Sequence, residues 1–266
     1  MRSPDVSPPH DRTTEPAIAL RRRPGLGVIV RSTLFALLVV LITPPYALTA
    51  WLVRPLPARI RYHIVTSWSH VVIGLARTVC GIRYRVQGRV PEGGPYIVLS
   101  KHQSAWETLA FQVLLPPQVM VLKRGLLWIP FFGWGLATLS PITVKRAAPS
   151  QTLRRLLEQG KDRLAQGFWI VIFPEGTRVP PGQRAPFQAG GAWLACRTHV
   201  AVVPVAHNAG ELWPRNGFLK YPGTVTVSIG EPIPCNDVKP DALNRNVAAW
   251  IEREMARITG SAAAPP

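Results

Sequence analysis

The chain has 266 residues, with 31 Lys and Arg against 14 Asp and Glu, and a formal net charge of +17. Hydrophobic residues make up 47% and charged residues only 17%, which supplies a sizeable core and excludes a chain kept disordered by charge repulsion. The 21 glycines have no triplet period, and Cys80, Cys196 and Cys235 are odd in number and widely spaced. Collagen, a disulfide framework and a CxxC-type zinc site are therefore excluded.

Residues 1 to 26 are rich in Pro and Arg, lack periodicity, and predict a disordered tail. Between Pro16 and Pro91 there is no acidic residue but there are eleven arginines. Globular surfaces mix the two signs. One-sign charge flanking Leu, Val and Ile suits an anionic lipid surface, and no helix-turn-helix, finger or RNP-like pattern points to nucleic acid. Ser32 to Val53 is uncharged and apolar, and its length meets the roughly 20 residues a membrane span needs. Pro44-Pro45 interrupts this run and predicts an unbroken helix only over Ser32 to Thr43. A cleavable leader is disfavoured, because Leu48 occupies a position that should be small. From Ile60 to Cys80, residues Ile64, Trp68, Val72, Leu75 and Val79 share a helical face. Residues 27 to 80 thus read as a membrane-associated helical pair, either a hairpin lodged in one leaflet or one span plus a surface helix.

Beyond Gly81, apolar runs alternate with helical stretches. Tyr96–Ser100, Val119–Lys123, Phe168–Phe173, Ala201–Ala206 and Thr224–Ile229 read as buried strands. Ser150–Gln166 (capped by Ser150), Ala189–Thr198 and Ala242–Thr259 read as helices. Residues 81 to 259 therefore predict one α/β domain, a mixed and largely parallel sheet flanked by helices, followed by a disordered tail at 260 to 266. No Gly-rich phosphate loop is present, which argues against nucleotide chemistry.

Two clusters follow strands. In Ser100 to Thr108, His102 and Glu107 stand five positions apart, about 140° on an ideal helix, so they cannot pair on one continuous helix. Ser104-x-x-Glu107 is a capping box, however, and starts the helix near Ser104. His102 then lies in the preceding loop, within reach of the carboxylate, which would fix one ring nitrogen and free the other as a base. The second cluster is Phe173-Pro-Glu-Gly-Thr-Arg178, where Glu175 and Arg178 set opposite charges at a tight turn. The planar fork of Arg178 suits phosphate. His63, His70, His199 and His207 lack a carboxylate at useful spacing and read as structural, and Cys196 reads as core.

Together these clusters resemble the glycerolipid acyltransferase family that acylates lysophosphatidic acid, with its His-x4-Asp and Phe-Pro-Glu-Gly-Thr-Arg boxes. Lys123 to Trp134 is similar to that family's second motif and Val203-Pro204-Val205 to its fourth, so the resemblance spans roughly residues 80 to 235. Glu107 stands where the family usually has Asp, which leaves the preferred substrate open.

The resemblance implies a membrane-associated O-acyltransferase in phospholipid biosynthesis. His102 would act as general base on the sn-2 hydroxyl, with Glu107 orienting it and amides near Ser104 serving the oxyanion. Arg178 with Lys123 or Arg124 would hold the phosphate, and Glu175, Gly176 and Thr177 would shape the acceptor site. Phe131, Phe132 and Trp134 would line the acyl path or lie against lipid. The expected partners are membrane lipids, lysophosphatidic acid and an acyl-CoA or acyl carrier protein donor, with no nucleic acid, no bound cofactor and no metal. The catalytic domain would face the cytoplasm at the inner membrane, where free thiols agree with the odd cysteine count. Another lyso-lipid acceptor, such as a lyso-ornithine lipid, and a non-catalytic membrane-binding homologue are the competing readings.

Overall fold

Helix α1 runs without a break from Leu26 to Leu52, straight through Pro44 and Pro45, where the sequence predicts a stop. Each proline removes one backbone donor. The helix is nevertheless held by packing, because Ala47 and Ala50 are buried where α1 meets its neighbours. Thr43 Oγ1 also donates to the Val39 carbonyl at 2.6 Å, just ahead of the pair. At 27 residues α1 is about 40 Å long, and it is long and apolar enough to cross a membrane. Among the described residues it is the one helix that meets this test.

The computed structural model describes residues 24–144 and 149–260. The tails expected at 1 to 26 and 260 to 266 lie outside the described residues, save Pro24–Leu26 and Gly260, as does the capping side chain expected of Ser150.

Helix α2 (Ala58–Thr78) is not a second apolar span. Its buried residues Tyr62, Thr66, Ser69, Val72, Ile73 and Ala76 form a mixed stripe that packs against α3 (Trp106–Leu114). Ser69 Oγ donates to Gln112 Oε1 of α3 at 2.5 Å. The stripe read from the sequence flanks this face rather than centring it, because small and hydroxylic side chains allow the closer approach.

The sheet has seven strands in the order β1 (Ile82–Gln87), β7 (Gly223–Ile229), β6 (Val202–His207), β2 (Ile97–Ser100), β5 (Trp169–Ile172), β3 (Gln118–Lys123) and β4 (Ile142–Val144). Strands β2 to β6 run parallel. Strand β7 is antiparallel to β6, and β1 is parallel to β7. The mixed, largely parallel sheet expected from the sequence is present. The two strands not expected are the edges: β1 exposes Arg83, Tyr84, Arg85 and Val86, and β4 is three residues long. Neither carries the continuous apolar run by which buried strands are recognised.

Side-chain alternation builds two cores. Val98, Val171 and Val203 face α2 and α3. Ile97, Leu99, Ile170, Ile172 and Val202 face the other side, toward α6 (Gly190–Thr198), α8 (Pro240–Thr259) and α5 (Pro149–Ala165). Between β3 and β4 the chain makes a 3-10 turn (Arg124–Trp128) and a short helix, α4 (Phe132–Thr138), neither of which is expected from the sequence. Helix α4 rests on α1, and a second short helix, α7 (Ala209–Leu212), follows β6.

Candidate active site

Strand β2 lies at the middle of the sheet, between β5 and β6, and the chain leaves its carboxyl end at Lys101-His102. In open α/β sheets ligands bind at such strand ends. Glu107 Oε1 accepts from the Ser104 amide at 2.7 Å and the Gln103 amide at 2.8 Å, while Ser104 Oγ accepts from the Trp106 amide at 3.0 Å. That is the local helix start predicted from the capping box. The same oxygen lies 2.8 Å from His102 Nδ1, so Nδ1 carries the proton and Nε2 keeps its lone pair.

The His102 ring is further fixed by stacking on Phe173, with centroids 4.0 Å apart and planes at 19°. Its backbone is clamped on both sides. The amide donates to Glu175 Oε2 at 2.8 Å and the carbonyl accepts from the Val179 amide at 2.8 Å. The Ser104 and Gln103 amides are occupied by Glu107, so they are not available for the oxyanion role expected of amides near Ser104.

Burial alone would raise the Glu107 carboxyl. The His102 imidazole and the Ser104 amide, both bonded to the carboxylate, oppose it, and the group is held below its ordinary 4.5. A carboxyl depressed by folding adds stability that is present above its unfolded pKa and lost as pH falls through the folded value. The acid limb of stability, followed as a denaturant midpoint below about pH 4.5, should therefore flatten in Glu107→Gln. An unchanged limb would show that folding does not depress the Glu107 carboxyl.

Glu175 does not stand at the turn's mouth opposite Arg178, as expected. It turns inward, is 6% exposed, and pairs with Lys101 Nζ at 2.6 Å. Burial, only partly offset by Lys101, raises its pKa. The turn itself closes by a Gly176 amide to Phe173 carbonyl bond at 3.0 Å, with Gly176 at φ +64°, a conformation a side chain would strain.

A cavity of about 980 Å³ opens from His102. Its polar lining includes Lys123, Glu175, Thr177, Arg178 and Arg215, with Gly176 beside them in the turn. Arg178 Nε is buried and has no hydrogen-bond partner among the described residues, which leaves it for a ligand. The apolar and aromatic lining of the cavity includes Tyr46, Trp68, Leu126, Phe131, Phe132 and Leu136. Arg124 and Trp134 do not line it. Arg124 is exposed at the start of the 3-10 turn, and Trp134 is 54% exposed on the outer side of α4.

Three site residues were not read from the sequence. Lys101 lay inside the first cluster without a partner in view. Arg215, whose Nη1 donates to the Arg178 carbonyl at 2.8 Å, lies outside every motif. His207, read from the sequence only as structural, is fully buried behind the site. Its Nδ1 accepts from the Ala209 amide at 3.3 Å and its Nε2 donates to the Lys101 carbonyl at 2.9 Å. Burial depresses its pKa, in keeping with that neutral tautomer. His63, His70 and His199 are at the surface.

Residues 81–208 match the profile of a family described as acyltransferase. A 1-acyl-sn-glycerol-3-phosphate acyltransferase of Pseudomonas aeruginosa is 44% identical over 237 residues, covering 86% of this chain and 92% of its own. An enzyme of the same name from Limnanthes douglasii is 26% identical, covering 82% and 74%. Among solved structures, the 1-acyl-sn-glycerophosphate acyltransferase of Thermotoga maritima superposes with a TM-score of 0.74 at 22% identity, covering 87% of this chain and 96% of that one. Relatedness over nearly the whole length, joined to a shared fold, settles the assignment: the chain belongs to the acyltransferase family.

Proposed function

We propose that the enzyme transfers a fatty acyl group from an acyl thioester to the sn-2 hydroxyl of lysophosphatidic acid, forming phosphatidic acid. The observation that carries this reading is His102. Its Nδ1 is held by a buried carboxylate, and the residue borders a cavity lined both by Lys123, Arg178 and Arg215 and by many apolar side chains. The names of the relatives support the acceptor.

In this reading Nε2 takes the proton of the acceptor hydroxyl as its oxygen attacks the thioester carbonyl. The Glu107 carboxylate steadies the imidazolium that forms. The tetrahedral carbon then expels the thiolate, which recovers the proton from Nε2, and no acyl-enzyme is needed. Arg178 and Lys123 hold the phosphate, Gly176 and Thr177 shape the acceptor site, and Phe131 and Phe132 flank the acyl chain. The donor is an acyl-CoA or an acyl carrier protein thioester, either of which is an acidic partner for a basic surface. We place α1 in the inner membrane with residues 81–259 facing the cytoplasm, where thioesters are made. Cys80, Cys196 and Cys235 are unpaired, as that compartment requires.

The test is an acceptor screen with purified protein and a long-chain acyl thioester. Phosphatidic acid should form from lysophosphatidic acid, and transfer only to another lyso-lipid would overturn the assignment. Arg178→Met should raise KM for lysophosphatidic acid roughly tenfold to a hundredfold, the worth of a charge-assisted hydrogen bond. Its kcat should hold, because the phosphate contact exists before and during the reaction. A fall in kcat alone would count against phosphate binding.

A further inference from the structure

The segment joining β3 to α4 both borders the cavity and lies bare to the outside. Leu126, Phe131 and Phe132 line the cavity. Leu126 and Phe131 are nevertheless 40% and 42% exposed, and Ile129, Trp134 and Trp128, which do not line it, are 44%, 54% and 78% exposed. Soluble surfaces seldom gather large apolar side chains in this way.

The segment is fixed against both N-terminal helices. A Cβ on Gly135 would lie 3.9 Å from that of Ala50 on α1, while on α2 the ring of Trp68 is 5.7 Å from that of Phe132 and Arg61 Nε donates to the Thr138 carbonyl at 2.7 Å. Next to Ala50 on α1, Trp51 and Leu52 are also exposed, 62% and 59%. The outer face of the segment thus continues the bare apolar face of α1. Its charge is one-sided as well: from Thr108 to Leu157 there is no acidic residue, while Lys123 and Arg124 stand at its base. Tryptophans with basic residues behind them are the side chains that settle at a membrane surface.

We infer that residues Leu126–Trp134 form a lip inserted into an anionic bilayer surface beside α1, past which the long-chain lipid passes between membrane and cavity. This rests on the proposed lipid acceptor and on α1 entering the bilayer. An exposed apolar face can also dock protein, but the unbroken continuation with α1 and the absence of acid favour lipid.

The full chain, reconstituted in phosphatidylcholine and phosphatidylglycerol vesicles with brominated acyl chains, reads the arrangement by tryptophan quenching. Trp51→Phe reports α1, and Trp128→Phe reports the lip. Both variants should lose a quenchable share of the emission. If Trp51→Phe loses it and Trp128→Phe does not, the lip is overturned and α1 stands. If no emission is quenched even in the parent, both are overturned. The paired variant Trp128→Ser/Ile129→Ser should raise the apparent KM for a long-chain acceptor in vesicles roughly tenfold. It should leave kcat/KM for a short-chain, monomeric acceptor within about twofold. Equal effects on the two acceptors would overturn the lip. A parent quenched through Trp128 that makes no phosphatidic acid would support the lip and overturn only the proposed acceptor.

Discussion

Replacing His102 by alanine is expected to abolish acyl transfer, with a fall of at least the roughly 10²–10⁴-fold that a positioned general base contributes. The geometry argues for a loss at the upper end. The Glu107 carboxylate at Nδ1, the Phe173 ring beneath the imidazole and the Glu175 carboxylate on the amide all serve to hold this one ring. The fold should survive. The side chain of His102 is 14% exposed, and its clamped backbone groups do not depend on the imidazole. The check is product formation from labelled thioester, with far-ultraviolet circular dichroism and the unfolding midpoint as controls. Transfer at the parental rate by a folded variant would remove His102 from the mechanism.

Lys101→Met is expected to give the largest loss of stability of any single change at the site. Lys101 Nζ and Glu175 Oε1 are 2.6 Å apart with side chains 3% and 0% exposed, so water screens the pair poorly. Removing one partner of such a pair leaves a buried charge uncompensated and costs about 3–5 kcal/mol. Glu252, 3.9 Å from Lys101 Nζ, is a second carboxylate and offers Glu175 no substitute cation, and Arg184 is already paired with Glu252 at 2.9 Å. Activity should fall too, because Glu175 Oε2 holds the His102 amide. The neutral double variant Lys101→Met/Glu175→Gln should recover much of the stability, since the amide oxygen still accepts from His102 without a charge to solvate. Denaturant midpoints read both. A Lys101→Met protein as stable as the parent would show that the pair is not ionised.

His102 and Glu107 were legible because their meeting is local. The capping box sets where the helix starts, and that start turns a five-residue spacing from divergent to convergent. The buried strands were legible for a similar reason, since a continuous β-branched run states its own burial. The edge strands β1 and β4 were not, because an edge exposes one side and loses the pattern. Helix α1 was misread at Pro44-Pro45, where the local cost is evident but the packing that offsets it lies in α4, some ninety residues on.

What the sequence determined by itself was the chemistry. It placed an imidazole and a carboxylate around one helix start, an arginine in a turn after a strand, and an uncharged apolar stretch ahead of both. Which charges face each other was decided only by the tertiary structure. Lys101 and Glu175 are 74 positions apart, and His207 reaches the Lys101 carbonyl across 106. Arg215 enters the cavity and Arg124 leaves it although only Arg124 lay in a motif. These meetings follow from strand order, with β5 and β6 on either side of β2, and strand order is a property of the assembled sheet that no local spacing records.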